Sequence, residues 1–236
     1  MSDEILHIKC VLLGETAVGK SSLLSRFISN KFKTDFISTM SGYSSMKQVY
    51  FEKSNKKINY EIWDTAGEEK FRSVTKIFYQ DSKVAILIYD ITRKDSFEAL
   101  KNYWYIEVRD NSPKNIIISI VGNKSDLYEY EEVTEEEGQE FADSIDAIYI
   151  LTSACNGTGI SELFDMIGNK IIKPEVFEKF NRNNSIKLKK NSRINIIDEK
   201  SGNTNNNEIN KNSNNSNNIY NTGVNNGVEK KKKNCC

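Results

Sequence analysis

Apolar runs of strand length recur through the first three quarters of the chain. Residues 5–13, 84–89, 116–121 and 147–151 are short and rich in Ile, Val and Leu. That is the pattern of strands buried on both faces of a parallel sheet. Residues 21–28, 95–109, 135–144 and 160–172 carry helix-like apolar spacing between them. Strands alternating with helices predict a doubly wound α/β fold. One stretch breaks the alternation: residues 47–51 and 57–63 flank a polar turn at 52–56, which predicts an antiparallel hairpin inserted into the sheet.

The pattern stops after about Phe180. Residues 203–226 are dominated by Asn and Ser, too little apolar surface to offset ordering entropy, so this stretch is expected to be disordered. Pro174 marks the boundary. The predicted organisation is a domain at 1–173, an Asn-rich tail at 174–229 and a terminal unit at 230–236.

Charge changes this picture. The chain has 33 Lys/Arg and 33 Asp/Glu, yet from Asn181 onward 11 basic residues face 4 acidic ones. An acidic body with a basic tail points to an anionic surface near the tail. No apolar run approaches the ~20 residues of a membrane-spanning helix, and the opening MSDEILHIKC is not a secretory leader. Four cysteines, two of them terminal, make no disulfide framework; Cys10 and Cys155 read as reduced thiols.

Two motifs carry chemistry. GETAVGKS at residues 14–21 fits G-x-x-x-x-G-K-[ST], follows the first apolar run and opens a helix. Gly14 and Gly19 let the backbone wrap so that N–H groups converge on phosphate oxygens. Lys20 reaches the β- and γ-phosphates, and Ser21 offers a hydroxyl to Mg²⁺. Asn123-Lys124-Ser125-Asp126 follows the third apolar run. The Asp126 carboxylate accepts from both guanine N1–H and the N2 amino group, a donor pair adenine lacks. Asn123 holds the loop, the Lys124 stem covers the base, and Thr152-Ser153-Ala154 offers backbone N–H groups to the guanine carbonyl.

GETAVGKS, WDTAG at 63–67, NKSD at 123–126 and TSA at 152–154 stand in the order and spacing of Ras-like small GTPases. KFRSVT at 70–75, LIYDIT at 87–92 and the terminal Cys-Cys look like the Rab branch. The resemblance covers roughly residues 6–172, and Glu15-Thr16-Ala17 and residues 112–127 resemble endosomal members. It implies one P-loop GTPase domain with a six-stranded, mostly parallel sheet, one antiparallel edge strand and flanking helices. It also implies a monomer that binds GTP or GDP with Mg²⁺ and hydrolyses GTP.

The roles implied by the resemblance are specific. Gly14, Glu15, Thr16, Ala17, Val18, Gly19, Lys20, Ser21 and Ser22 surround the phosphates. Thr39, 18 residues after Ser21, ligates Mg²⁺ and senses the γ-phosphate. Asp64 holds Mg²⁺ through water, and the Gly67 N–H contacts the γ-phosphate. Phe32, Asn123, Lys124, Asp126, Ser153, Ala154 and Cys155 surround the base. The catalytic set is Lys20, Thr39, Gly67 and Glu68. Implied partners are an exchange factor, a GTPase-activating protein, a GDP-dissociation inhibitor, the prenylation machinery and effectors, with no nucleic acid among them.

Four positions depart from the family pattern. Glu68 stands where relatives place the glutamine that orients the attacking water; a carboxylate accepts from water but donates to nothing. This keeps open an alternative, a slow or non-hydrolysing GTP-bound scaffold. After Thr39 the run is Met40-Ser41-Gly42-Tyr43-Ser44, so the effector-facing triad becomes Ser44, Trp63 and Phe78, with Tyr43 or Met46 available to refill the gap. Residues 78–82 replace a Tyr-Tyr-Arg-Gly-like run, and Cys155 replaces a lysine.

Lys230, Lys231, Lys232 and Lys233 lead to Cys235 and Cys236, which resemble the Rab double-geranylgeranyl signal. One lipid chain binds a bilayer only marginally, and each lysine adds about 1 kcal/mol near an anionic leaflet. The chain is thus expected on the cytoplasmic face of a vesicle or endosome and in the cytosol.

Overall fold

Strand β1 (Ile5–Leu13) is buried on both sides from Cys10 onward, and β4 (Val84–Asp90) is buried throughout. Their side chains alternate between two apolar layers. Cys10, Leu12, Val84, Ile86 and Ile88 face one cluster, and Val11, Leu13, Ala85, Leu87 and Tyr89 face the other. A strand that must be apolar on both faces belongs at the centre of a sheet covered on both sides.

The remaining strands are β2 (Tyr43–Phe51), β3 (Lys56–Asp64), β5 (Ile117–Asn123) and β6 (Ile148–Thr152). The order across the sheet is β2-β3-β1-β4-β5-β6. All neighbours run parallel except β2, which pairs antiparallel with β3 at the edge. The computed structural model describes residues 5–32, 42–65, 78–79 and 81–174, which lie within the compact unit Met1–Phe180. The Asn-rich and terminal segments lie outside the described residues.

One face is covered by α1 (Lys20–Ser29) and α5 (Ile160–Ile172). Helix α1 turns Leu23, Leu24 and Phe27 inward at i, i+1 and i+4 and ends at Asn30, whose left-handed backbone carries the closing N–H to Arg26 O. Helix α5 buries Leu163, Phe164 and Ile167. Phe27 stacks on Phe164 with centroids 3.5 Å apart, and the Tyr60 hydroxyl of β3 donates to Phe164 O at 2.8 Å. The other face carries α2 (Lys94–Ala99), α3 (Tyr105–Asn111) and α4 (Glu135–Ser144). Helix α4 is capped by Thr134, whose side chain accepts from Glu137 N–H, with Glu135, Glu136 and Glu137 in its first turn.

The structure departs from the sequence reading in three places. The hairpin strands start and end farther out than 47–51 and 57–63, and their turn is a 3₁₀ segment, Glu52–Ser54. Tyr43, Ser44 and Met46 project from an edge strand, so their apolar pattern is weak. The helix expected at 95–109 runs from Lys94 to Asn111 and contains a π turn at Leu100–Trp104. A further 3₁₀ segment, Ser125–Tyr130, follows β5.

Helix α5 approaches β2 closely: a Cβ built on Gly168 would fall 2.0 Å from the Phe51 ring. Gly168→Ala is therefore expected to lower stability by about 1–3 kcal/mol through overpacking. Urea unfolding would measure this, and Phe51→Leu in the same background should recover part of the loss.

Candidate functional site

The loop after β1 lies at the carboxyl end of the parallel strands, beside the junction where the chain has strands on both sides of β1. Ligands of open α/β sheets bind at such a switch point. The loop backbone is wound through positive φ at Gly14 (143°), Ala17 (64°) and Gly19 (100°). A Cβ on Gly14 would meet Ile88 O at 2.2 Å, and one on Gly19 would meet Asn123 Nδ2 at 2.2 Å. Glycine is required at both positions by conformation and by space.

Lys20 is buried. Its ammonium donates to Gly14 O at 2.8 Å and to Glu15 O at 2.9 Å, so the charge sits inside the loop. Burial pulls its pKa down to about 8, opposed by the Asp64 and Glu15 carboxylates. Ser21 Oγ hydrogen-bonds Asp64 Oδ2 across 43 residues of sequence. Asp64, at the end of β3, is fully buried. The adjoining Thr65 hydroxyl donates to Leu12 O at 2.7 Å and fixes the end of β3 against β1. A serine hydroxyl and a carboxylate beside one another are hard oxygen donors suited to Mg²⁺, which keeps several of its waters. The residues present fit that ion.

The motif at 123–126 converges on the same edge. Asn123 Nδ2 donates to Val18 O at 2.8 Å, and Thr152 Oγ1 donates to Asn123 Oδ1 at 3.1 Å. One amide thereby ties the phosphate loop to β5 and β6. Ser153 Oγ donates to Asp126 Oδ1 at 2.5 Å and accepts from Asn156 N–H. Lys124 has a left-handed backbone (φ 67°), and its ammonium lies 2.6 Å from Asp90 Oδ2. The Asp90 carboxylate also accepts from the Thr92 N–H and hydroxyl. Arg26 of α1 donates to Ala154 O at 2.9 Å and to Cys155 O, holding the third loop from below.

Among the expected site residues, Gly14–Ser21, Asp64, Asn123, Lys124, Asp126, Ser153, Ala154 and Cys155 thus share one edge. Ser22 lies in the first turn of α1. Phe32 is half-buried and packs against the cluster that contains Phe27. Thr39, Gly67, Glu68, Cys235 and Cys236 lie outside the described residues. Of the two cysteines read as reduced thiols, Cys10 is free and buried. Arg26, Asp90, Arg93 and Trp104 support the site and carried no sequence signal, because each acts across more than 30 residues or from a helix that reads as ordinary.

The positions expected to face effectors also adjoin. Ser44 is the cross-strand partner of Trp63, and the Trp63 and Phe78 rings lie 5.2 Å apart. Tyr43 turns instead to Asp64: burial, the carboxylate charge and a hydrogen bond to it push the phenol up to about 12. Met46 stays exposed.

The Lys20 shift has a stability consequence. In the unfolded chain its amine holds a proton up to about 10.5, in the folded chain only to about 8. Between those values the unfolded state binds more protons, so stability of the nucleotide-free chain rises with pH. Comparison of melting temperatures at pH 7.5 and 9.5 should show this slope in wild type and its loss in Lys20→Met.

The Ras family profile matches residues 9–173. The chain is 42% identical over 165 residues to Ras-related protein Rab-22A of Homo sapiens, covering 70% of this chain and 84% of that one. It is 40% identical over 186 residues to human Ras-related protein Rab-31, covering 79% and 93%. It is 38% identical over 167 residues to Ras-related protein RabC of Dictyostelium discoideum, covering 71% and 84%. With its phosphate loop, guanine motif and sheet order on one edge, the chain belongs to the Ras family and, within it, to the Rab-type small GTPases.

Proposed function

We propose that this chain is a GTP-driven switch that recruits effectors to an endosomal membrane, with its nucleotide held at the edge where Asn123 joins the phosphate loop to the base-binding strands. As a Rab-type small GTPase it hydrolyses GTP to GDP and phosphate. The observation that carries the site assignment is the placement of Asp126 and Ser153 on the same sheet edge as Lys20 and Ser21.

In this reading the loop N–H groups between Gly14 and Ser21 bind phosphate oxygens at the start of α1. Lys20, already held inside the loop, neutralises the β- and γ-phosphates. Asp126 accepts from the guanine edge while its contact with Ser153 fixes the carboxylate. Lys124, drawn toward Asp90, lays its stem along the base. Phe32 stacks on the base, and the Ser153-Ala154-Cys155 backbone faces the guanine carbonyl. Ser21, Thr39 and, through water, Asp64 would hold Mg²⁺, which when bound neutralises charge developing on the phosphates. Thr39 and Gly67 sense the γ-phosphate, so that the loops carrying them order with GTP and loosen after hydrolysis.

Glu68 sets the rate in this scheme. It accepts a hydrogen bond from the attacking water, adds negative charge near the γ-phosphate and donates nothing to the transferring group. Single-turnover phosphate release should occur from GTP and not from ATP. Glu68→Gln should change the rate about tenfold or more, the scale of general acid–base effects. Equal rates for the two proteins, with and without an activating protein, would remove Glu68 from the mechanism.

The domain limits proposed are 1–173 for the GTPase unit, 174–229 for a tether and 230–236 for a lipid anchor. No helix among the described residues is long and apolar enough to cross a membrane. Two prenyl groups on Cys235 and Cys236, with the adjoining lysines, supply the two signals that stable attachment needs. An exchange factor, an activating protein, a GDP-dissociation inhibitor and the prenylation machinery complete the cycle. A fluorescently tagged chain carrying Cys235→Ser and Cys236→Ser should move from endosomes to the cytosol. Retention on endosomes would show that something other than the terminal thiols anchors it.

A further inference from the structure

The helix that runs from Lys94 to Asn111 reaches the phosphate loop at two successive residues. Trp104 is almost fully buried, and its indole N–H donates to Glu15 Oε1 at 2.9 Å, across 89 residues of sequence. Near the start of the same helix, Arg93 Nη1 donates to Thr16 O at 3.0 Å. Glu15 is also the residue whose backbone carbonyl accepts from Lys20 Nζ. The side chain of Glu15 is therefore held from the helix while its main chain holds the lysine.

Trp104 occupies the last position of the π turn, in which the Tyr105 N–H bonds back to Leu100 O. Such a turn inserts one residue into a helix and re-aims the side chains beyond it, and it is found preferentially at functional sites. One turn beyond Trp104, Glu107 Oε2 accepts from the Tyr79 hydroxyl at 2.9 Å. The Tyr103 ring stands edge-on to the Trp104 indole at 5.1 Å. The indole thus has little freedom to follow Glu15 if the loop shifts.

We infer that Trp104 is a positioning residue of the nucleotide site: through Glu15 it fixes the conformation of the phosphate loop and thereby slows release of bound guanine nucleotide. The inference rests on the GTP-binding reading above. It adds a residue from outside the sequence motifs, acting on loop geometry and touching no nucleotide. The hydrogen bond costs nothing to keep in the bound state, whereas opening the loop to release phosphate requires Glu15 to leave a buried donor without its acceptor.

The test uses the full chain loaded with a fluorescent GDP analogue in Mg²⁺ buffer and chased with excess GDP. Trp104→Phe keeps a ring in the core and removes the N–H, and Glu15→Ala removes the acceptor at a solvent-facing loop. Each should speed release by about fivefold or more, the factor for one lost hydrogen bond. The double variant should be no faster than the faster single one, since both remove the same link. Glu15→Gln, which keeps an acceptor oxygen, should release more slowly than Glu15→Ala. Val108→Ala, a core truncation on the same helix, should lower the melting temperature while changing release by less than about twofold. A wild-type rate for Trp104→Phe, multiplying effects in the double variant, or equal acceleration by Val108→Ala would overturn the inference. If the wild-type chain retained no guanine nucleotide, the functional reading would fall and this inference with it. Retention by wild type with no change in Trp104→Phe would overturn the inference alone.

Discussion

The Asn123 amide sits where any side chain on Gly19 would have to go. Its nitrogen satisfies Val18 O and its oxygen takes the Thr152 hydroxyl. The loop after β1 and the ends of β5 and β6 are therefore joined through a side chain that is itself almost fully buried. A buried amide left without either partner would cost on the order of 1–3 kcal/mol. The loop after β1 must consequently come close, and it can do so only with glycine at position 19. Both motifs depend on this contact, because it sets the distance between the loop after β1 and the end of β5, from which the chain runs on to Asp126.

Around that contact the structure concentrates charge where water is scarce. Lys20, Asp64 and Asp90 are all buried, and each is engaged by polar or charged partners. Lys20 is held by loop carbonyls, Asp64 by Ser21 and Tyr43, and Asp90 by Thr92 and Lys124. Buried charges are tolerable only when paired in this way. Their partners are fixed by a sheet that is apolar on both faces and therefore stiff. Rigid strands thus hold a polar edge in a fixed arrangement.

Most of the architecture was legible in the chain. The central strands are continuous runs of Ile, Val and Leu because both of their faces are covered, and α5 is amphipathic because one of its faces is not. The edge hairpin was legible in kind but not in extent: Tyr43, Ser44 and Met46 lie on an exposed strand, so no apolar alternation marks where it begins. The π turn was not legible, since Leu100, Trp104 and Val108 read as an ordinary i, i+4, i+8 stripe. The short 3₁₀ segment after Asn123 was hidden because it buries none of its residues. At the site, GETAVGKS and NKSD announced themselves because backbone approach to phosphate and recognition of guanine each demand particular residues at fixed spacing. Arg26, Asp90, Arg93 and Trp104 did not, because a residue that acts on a distant loop can stand anywhere that the fold brings close.

The sequence by itself determined the family, the nucleotide motifs and the alternation of strand and helix. These are local requirements: a glycine where the backbone must turn, an apolar run where a strand is covered, a carboxylate where guanine donates. Only the tertiary structure decided which side chains hold those motifs in place. Trp104 meets Glu15 across 89 residues and Ser153 meets Asp126 across 27, and such pairings arise from strand order and helix packing. Spacing along a chain specifies what a segment can become, whereas contact between segments depends on the packing of the whole core.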